Sequence, residues 1–220
     1  MEIDPSKLKL DGYSVIELAH KQVYVVQDFL ERGTCTNIVR EIHNVMKAMP
    51  QRKLHKGGFF SFDVLPVGTE SQRIFRSIEY KEGESYQLSE SVDLLCNLMK
   101  QFQMKWLTGN ISCHHSQYAR RLQITHYPRG GGFFDWHEHP RFPVNYGMIV
   151  NLSQNGENYH HGATEIETDG GKIIRTEEFC NIGDLILFRY DLRHRVGPCD
   201  PENDLIFDTN GRWTSIMPIY

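Results

Sequence analysis

The spacing of apolar positions changes character near residue 118. Ahead of it, GYSVIEL (12–18) and QVYVVQDFL (22–30) are rich in Val, Ile and Tyr, as half-buried strands are. Ile38, Ile42, Val45, Met46 and Met49 then recur at helical spacing, which predicts a helix capped by Thr34 or Thr36 and stopped by Pro50. HKGGFFSFDVLPVG (55–68) reads as a loop feeding a short strand. A second helix is predicted from about Ser89 to Leu107, with Val92, Leu95, Leu98, Met99, Phe102 and Trp106 as its buried stripe and Gly109 at its end. Beyond residue 118 the helical period disappears. YARRLQITHY, NYGMIVNLS, GATEIET, KIIRTEE, GDLILFR, HRVGP and RWTSIMPIY are short strand-like runs, most of them separated by turn residues. Such a series predicts a β-sandwich or barrel, so the expected architecture is mostly β with N-terminal helices.

Length and composition narrow this picture. The 220 residues suit one domain, with a mixed front over about 1–117 and a β core over about 118–220. A net charge of −4 offers no electrostatic reason to expect a nucleic acid or an anionic membrane as partner. No apolar run is long enough to span a bilayer, and MEIDPSKLKLDGY has no basic segment leading into an apolar one. The five cysteines are scattered, odd in number and without CxxC spacing, which argues against both a disulfide framework and a thiolate zinc site. Reduced thiols in a cytoplasmic protein are the expectation.

Candidate chemistry concentrates in GGGFFDWHEHP (130–140). Three glycines precede Asp135, His137 and His139, which fall at alternate positions, so on an extended strand an acid and two imidazoles would share a face. A metal needs a third ligand from elsewhere. His194 is the best candidate: it follows the Gly-Asp turn and apolar strand of GDLILFRYDLRHRV, at the start of the next strand. Two ligands from one strand end and one from a distant strand make a facial site with open positions opposite. On imidazoles that arrangement suits Fe(II), with Zn, Cu, Ni or Mn as competitors.

In order and content, HYPRGGGFFDWHEH, MIVNLS (148–153), HGATEIE (161–167), GDLILF (183–188), HRV (194–196) and RWTS (212–215) resemble the Fe(II)/2-oxoglutarate-dependent oxygenases, prolyl-hydroxylase-like branch. VVQDFLERGTCTNIV resembles the strand-then-helix entry of that branch, and the resemblance is densest over 121–217. It implies a double-stranded β-helix (jelly-roll, cupin-like) core, Fe(II) as metal and 2-oxoglutarate as cosubstrate. It also implies O₂ as co-reactant and oxidation of a substrate C–H bond, hydroxylation by default. Arg212 takes the position of the arginine that grips the far carboxylate of 2-oxoglutarate. Thr214 lies two residues on, and Tyr127 is a further candidate for a hydrogen bond to the cosubstrate.

One position departs from the pattern. Where the family carries a carboxylate ligand, two residues after the first histidine, this chain has His139. Three alternatives follow: His139 is itself the ligand, Asp135 supplies a carboxylate from the same strand face, or Glu138 reaches the metal from a broken strand. A bulky imidazole leaves no vacancy for a halide, which disfavours halogenation. If His139 binds metal, Asp135 is free to accept a hydrogen bond from a ligating imidazole or to hold a cationic group of the substrate.

Gly131 with His137-x-His139, and Gly183 with His194, also match the spacing of the two cupin motifs, so a three-His cupin dioxygenase independent of 2-oxoglutarate is the alternative. Against it, PRFPV supplies no glutamate after His139, and Arg189 and Asp191 stand where that family has proline and glycine. A non-catalytic binding protein on the same fold is a third class. The rim segments HSQYARR (115–121), PRFPVNY (140–146) and ENYHHG (157–162) mix polar and aromatic residues, which suits a small polar metabolite such as an amino acid or its derivative. Arg121 and Gln123 share a strand whose inward face the sequence leaves open, and His160 and His161 read as surface-loop residues.

Overall fold

A computed structural model describes residues 8–9, 11–48, 60–64, 73–80, 90–107, 121–141 and 144–218. β1 (Ser14–Ala19) and β2 (Val23–Gln27) open the chain as an antiparallel hairpin. β2 reads as an unbroken apolar run because both of its faces are covered. Tyr24 and Val26 belong to the core beneath the helices, whereas Val23 and Val25 face the interior of the curled sheet.

α1 (Arg32–Ala48) buries Ile38, Ile42 and Met46 of the expected stripe together with Cys35 and Val39, while Val45 is only partly buried against them. Its start differs from the expectation. Thr34 and Thr36 lie inside the helix rather than at its cap, and the Thr36 hydroxyl donates to the Arg32 carbonyl, 3.1 Å away, one turn back. The predicted stop at Met49 and Pro50 lies outside the described residues, as do Ser89 and Gly109 at the ends of the second helix. α2 (Glu90–Phe102) buries Val92, Leu95, Met99 and Phe102 and carries Glu90 and Asp93 in its first turn, where negative charge opposes the positive end of the helix dipole. It loosens into a π-helical turn over Gln103–Leu107, where the buried Gln103 amide donates to the Met217 carbonyl at 2.8 Å. Each fully buried Ile or Leu of this layer contributes roughly 1.5–3 kcal/mol of transfer free energy.

The remaining strands are β3 (Phe60–Val64), β4 (Arg73–Tyr80), β5 (Leu122–Tyr127), β6 (Gly132–His137), β7 (Tyr146–Asn151) and β8 (Thr164–Glu167), then β9 (Ile173–Arg175), β10 (Leu185–Arg189), β11 (His194–Cys199) and β12 (Arg212–Ile216). Pairing is antiparallel throughout, in the order β1-β2-β10-β7-β12-β5-β4-β6-β11-β8-β9, with β3 on β4. Each of the seven strand-like runs after residue 118 coincides with or overlaps one of these strands. Strands from the front half complete the same sheet, which curls so that β8 and β9 come to face β2, β7 and β10. Ile166 and Ile174 there meet Val23, Val25, Ile149, Ile186 and Phe188 in a second core. This is the jelly-roll, double-stranded β-helix that the resemblance implies.

Strand β4 is absent from the sequence-based reading, and Arg76 is the reason. It sits mid-strand, is 5% exposed, and interrupts the apolar run RIFRSIEY with a charge. Arg76 is accommodated by a polar network: Nε donates to His126 Nδ1 at 2.7 Å, Nη2 donates to the Asp208 carbonyl at 2.9 Å, and Nη2 also meets His43 Nδ1 at 3.0 Å. His126 in turn stacks on Trp213, ring centroids 4.2 Å apart.

Candidate metal centre

The triple glycine ahead of the histidines seats a turn against backbone. Gly130 has φ +85°, and a Cβ there would lie 2.4 Å from the Leu205 backbone, so no other residue fits without movement. The Gly130 and Gly131 amides donate to the carbonyls of Asp200 and Cys199, at 3.0 and 2.8 Å, tying the start of β6 to the end of β11.

Strands β6 and β11 then run antiparallel with His137 opposite His194 and Phe134 opposite Val196. Between those two pairs β6 uses one more residue than β11, which is a β-bulge. The bulge changes which side chains look inward. Phe134 and His137 face the interior together, their rings stacked at 3.8 Å. Trp136 sits under the guanidinium groups of Arg193 and Arg195. The expectation that Asp135 shares the face of His137 is therefore corrected: its carboxylate accepts the Trp136 N–H at 2.7 Å and does not line the cavity. Its backbone carbonyl serves the site instead.

Three ring nitrogens converge. One nitrogen each from His137, His139 and His194 lies within 4.8 Å of the others, while neither Asp135 nor Glu138 belongs to the cluster. His137 Nδ1–H donates to the Asp135 carbonyl at 2.7 Å, and His194 Nδ1–H donates to the Leu192 carbonyl at 2.8 Å. A carbonyl only accepts, so in each neutral ring the proton sits on Nδ1 and Nε2 keeps its lone pair for a metal. His139 is held differently. It follows the end of β6, its amide donates to the Tyr190 carbonyl at 3.3 Å, and its ring stacks on Tyr190 at 4.5 Å.

Burial keeps all three rings neutral. It pushes His137 down to about 4, an effect the Asp135 carbonyl opposes and the neighbouring His139 and Arg73 reinforce. His139 is lowered by burial, and His194 lies well below its ordinary value through burial and then through His137. Neutral imidazoles are the form that binds a metal ion, and a three-nitrogen facial set with open space beside it suits divalent iron and its first-row neighbours.

The cluster lies on the wall of a cavity of about 500 Å³ inside the curled sheet. Phe75, Phe188 and Val196 make this wall apolar, while Arg73, Glu79, Gln123, Thr125, Tyr127 and Thr164 provide polar groups. Gln123 is thus on the inward face of β5, whereas Arg121 pairs with Glu79 at 3.2 Å. Of the three predicted rim segments, residues 115–120 and 142–143 lie outside the described residues. His160 and His161 are exposed.

Arg212 is buried at 1% exposure opposite Tyr127 in the β5–β12 register. Gly211 before it has φ +102°, and a Cβ there would lie 2.6 Å from the Tyr127 carbonyl oxygen. The guanidinium does not itself line the cavity. Its Nε donates to Glu177 at 2.8 Å and its Nη2 donates to the Thr164 hydroxyl, while Nη1 is buried with no partner among the described residues. Burial works to lower its pKa, but Glu177, Tyr159 and Tyr127 outweigh that and raise it further. Burial raises the Tyr127 phenol to about 12, so it remains a protonated donor at the cavity wall. Thr214 is also buried, two residues along β12, and does not reach the cavity surface. Glu177, Thr164, Arg73 and Tyr190 are absent from the sequence-based site. Glu177 and Thr164 are brought to Arg212 by non-local packing that no local pattern encodes.

No family model matches the chain, and no curated protein matches it in sequence. Solved structures do resemble it. A prolyl-4-hydroxylase from Pseudomonas putida aligns at TM-score 0.59 and 14% identity, over 97% of this chain and 95% of that one. A prolyl hydroxylase from Trichoplax adhaerens, in complex with a hypoxia inducible factor oxygen degradation domain peptide fragment, aligns at 0.59 and 15% identity, over 98% and 86%. AviO1 from Streptomyces viridochromogenes Tue57 aligns at 0.50 and 15% identity, over 90% and 88%. At such identities the likeness establishes the fold.

Proposed function

We propose that this chain is a non-haem Fe(II)- and 2-oxoglutarate-dependent oxygenase that hydroxylates a C–H bond of a small polar metabolite, such as an amino acid or its derivative. The observation that carries this reading is the convergence of His137, His139 and His194 on a cavity wall. The donor set fits Fe(II) in ligand type and protonation state. Tyr127 and Thr164 line the cavity in front of Arg212 and offer hydrogen-bond donors to the far end of an acid. When bound, iron would supply dioxygen activation, and 2-oxoglutarate would supply the two further electrons that a hydroxylation by dioxygen requires.

The chain's own residues bind and orient. The carbonyls of Asp135 and Leu192 fix the tautomers of two ligands, and Tyr190 and Phe134 hold ring planes by stacking. Phe75, Phe188 and Val196 keep bulk water from the reacting centre. Arg73 packs over the Phe75 and Phe134 rings on the same wall. A cavity of about 500 Å³ suits a small molecule, although the Trichoplax adhaerens protein binds a peptide fragment.

One observation favours a second reading. Arg212 already has a buried anionic partner in Glu177, as befits a three-His dioxygenase that draws its electrons from the substrate alone. An anaerobic titration with Fe(II) and then 2-oxoglutarate separates the two. A visible metal-to-ligand charge-transfer band that is lost in His137→Ala supports the oxoglutarate reading. Tight iron binding without a band replaces it by the second.

A further inference from the structure

Glu177 lies on the single 3₁₀ turn Thr176–Glu178 between β9 and β10, and both of its carboxylate oxygens accept hydrogen bonds from buried partners. One carboxylate oxygen accepts Arg212 Nε at 2.8 Å; the other accepts the Thr164 amide at 2.8 Å and the Thr176 hydroxyl at 3.0 Å. The two side chains of the pair are 5% and 1% exposed, so water does little to screen it. Thr164 stands between this pair and the cavity. Its hydroxyl oxygen accepts from Arg212 Nη2, which leaves the hydroxyl proton free to donate toward the space that Thr164 lines.

Two departures thus compensate in charge. Three neutral imidazoles leave a divalent metal both of its charges, one more than a set that includes a carboxylate. At the far end Glu177 removes one by balancing Arg212. The total matches a site with a carboxylate ligand and an open arginine, but its distribution is shifted toward the metal.

Resting on the 2-oxo-acid reading above, we propose that Glu177 sets the cosubstrate selectivity of this site. With Arg212 closed into an ion pair behind Thr164, the cavity reads the far end of a 2-oxo acid as a hydrogen-bond acceptor and not as a charge. A 2-oxo acid with an uncharged acceptor at that end therefore binds about as well as 2-oxoglutarate.

The test is direct binding to the Fe(II)-loaded protein under anaerobic conditions, by calorimetry or by the charge-transfer band. The ligands are 2-oxoglutarate and 2,5-dioxohexanoate, in which a methyl ketone replaces the far carboxylate at the same length. The wild-type dissociation constants are expected to lie within about tenfold of each other, whereas an open buried arginine would separate them by roughly 30-fold or more. Glu177→Gln is expected to tighten 2-oxoglutarate by about tenfold or more while moving the ketone less than about threefold. A wild-type preference for 2-oxoglutarate beyond roughly 30-fold, or a variant that shifts both ligands alike or neither, overturns the proposal and leaves the 2-oxo-acid reading intact. Failure of both acids to bind the iron-loaded protein overturns that reading and this proposal with it. The wild-type ratio decides alone if the variant does not fold.

Discussion

His137 and His194 face each other across β6 and β11 with their rings 4.2 Å apart, and each donates its Nδ1 proton to the carbonyl two residues before it. The same local device orients both imidazoles, and no carboxylate takes part. The acid beside them, Asp135, contributes only main chain.

On the proposed reading, the Asp135 side chain should be dispensable for metal binding and the His139 ring should not. Asp135→Asn is expected to leave Fe(II) affinity within about threefold of wild type, while His139→Ala lowers it by about 100-fold or more. Anaerobic competition with a chromogenic chelator measures both. A large loss in the asparagine variant would restore Asp135 as a ligand.

Acid should weaken the metal-free fold well before carboxylates titrate. Burial lowers His126 far below its ordinary value, with Arg76 adding to the effect, and burial followed by Arg76 and Lys47 lowers His43. In the unfolded chain both protonate near pH 6.5, while in the folded chain they stay neutral to lower pH. The unfolded state therefore binds more protons as pH falls below about 6.5, and stability drops by up to about 1.4 kcal/mol per pH unit for the fully buried His126 and by less for His43, which solvent partly screens. His137 and His194 add to this when no metal is bound. Urea midpoints at pH 7.5 and 5.5 check the sign; an unchanged midpoint would mean that these rings are not neutral in the fold.

The helices, the seven late strands and the histidine cluster were legible because each announces itself locally, by period, by turn residues or by H-x-H spacing. β4 was not, since Arg76 looks like a surface residue until His126, His43 and the Asp208 carbonyl are brought around it. The face of Asp135 is not legible locally because alternation holds only for an unbroken strand, and the bulge is set by the pairing with β11, a partner some sixty residues away. Glu177 escaped notice for a related reason. It sits beside Glu178 in a short turn, and only the closure of the sheet decides which of the two meets Arg212.

Adjacent leucines on α2 should respond very differently to truncation. Leu95 is fully buried beneath the sheet, and Leu94 is 46% exposed. Leu95→Ala removes contacts that the surrounding core cannot fully replace, so it should cost about 2–5 kcal/mol. Leu94→Ala should stay within about 0.5 kcal/mol. Equal losses in urea unfolding would contradict the helix phase.

Two glycines with similar backbone angles separate strain from collision. Gly171 has φ +74° with open space where a Cβ would go, so Gly171→Ala meets only the left-handed backbone penalty of about 1–2 kcal/mol. Gly211 has φ +102°, and a Cβ there would lie 2.6 Å from the Tyr127 carbonyl oxygen and 2.8 Å from His126 Nε2. Neither neighbour yields easily: the first is strand backbone, and the second is held at 2.7 Å from the Asn210 carbonyl within the buried Arg76 network. Gly211→Ala should therefore lose more than about 3 kcal/mol. It should also shift Arg212, the next residue, against Glu177 and Thr164. Thermal unfolding measures the first effect, and 2-oxoglutarate affinity of the iron-loaded protein measures the second. A Gly211 variant no less stable than the Gly171 variant would show that the β12 entry can move aside, and Arg212 would then not be held as rigidly as its burial implies.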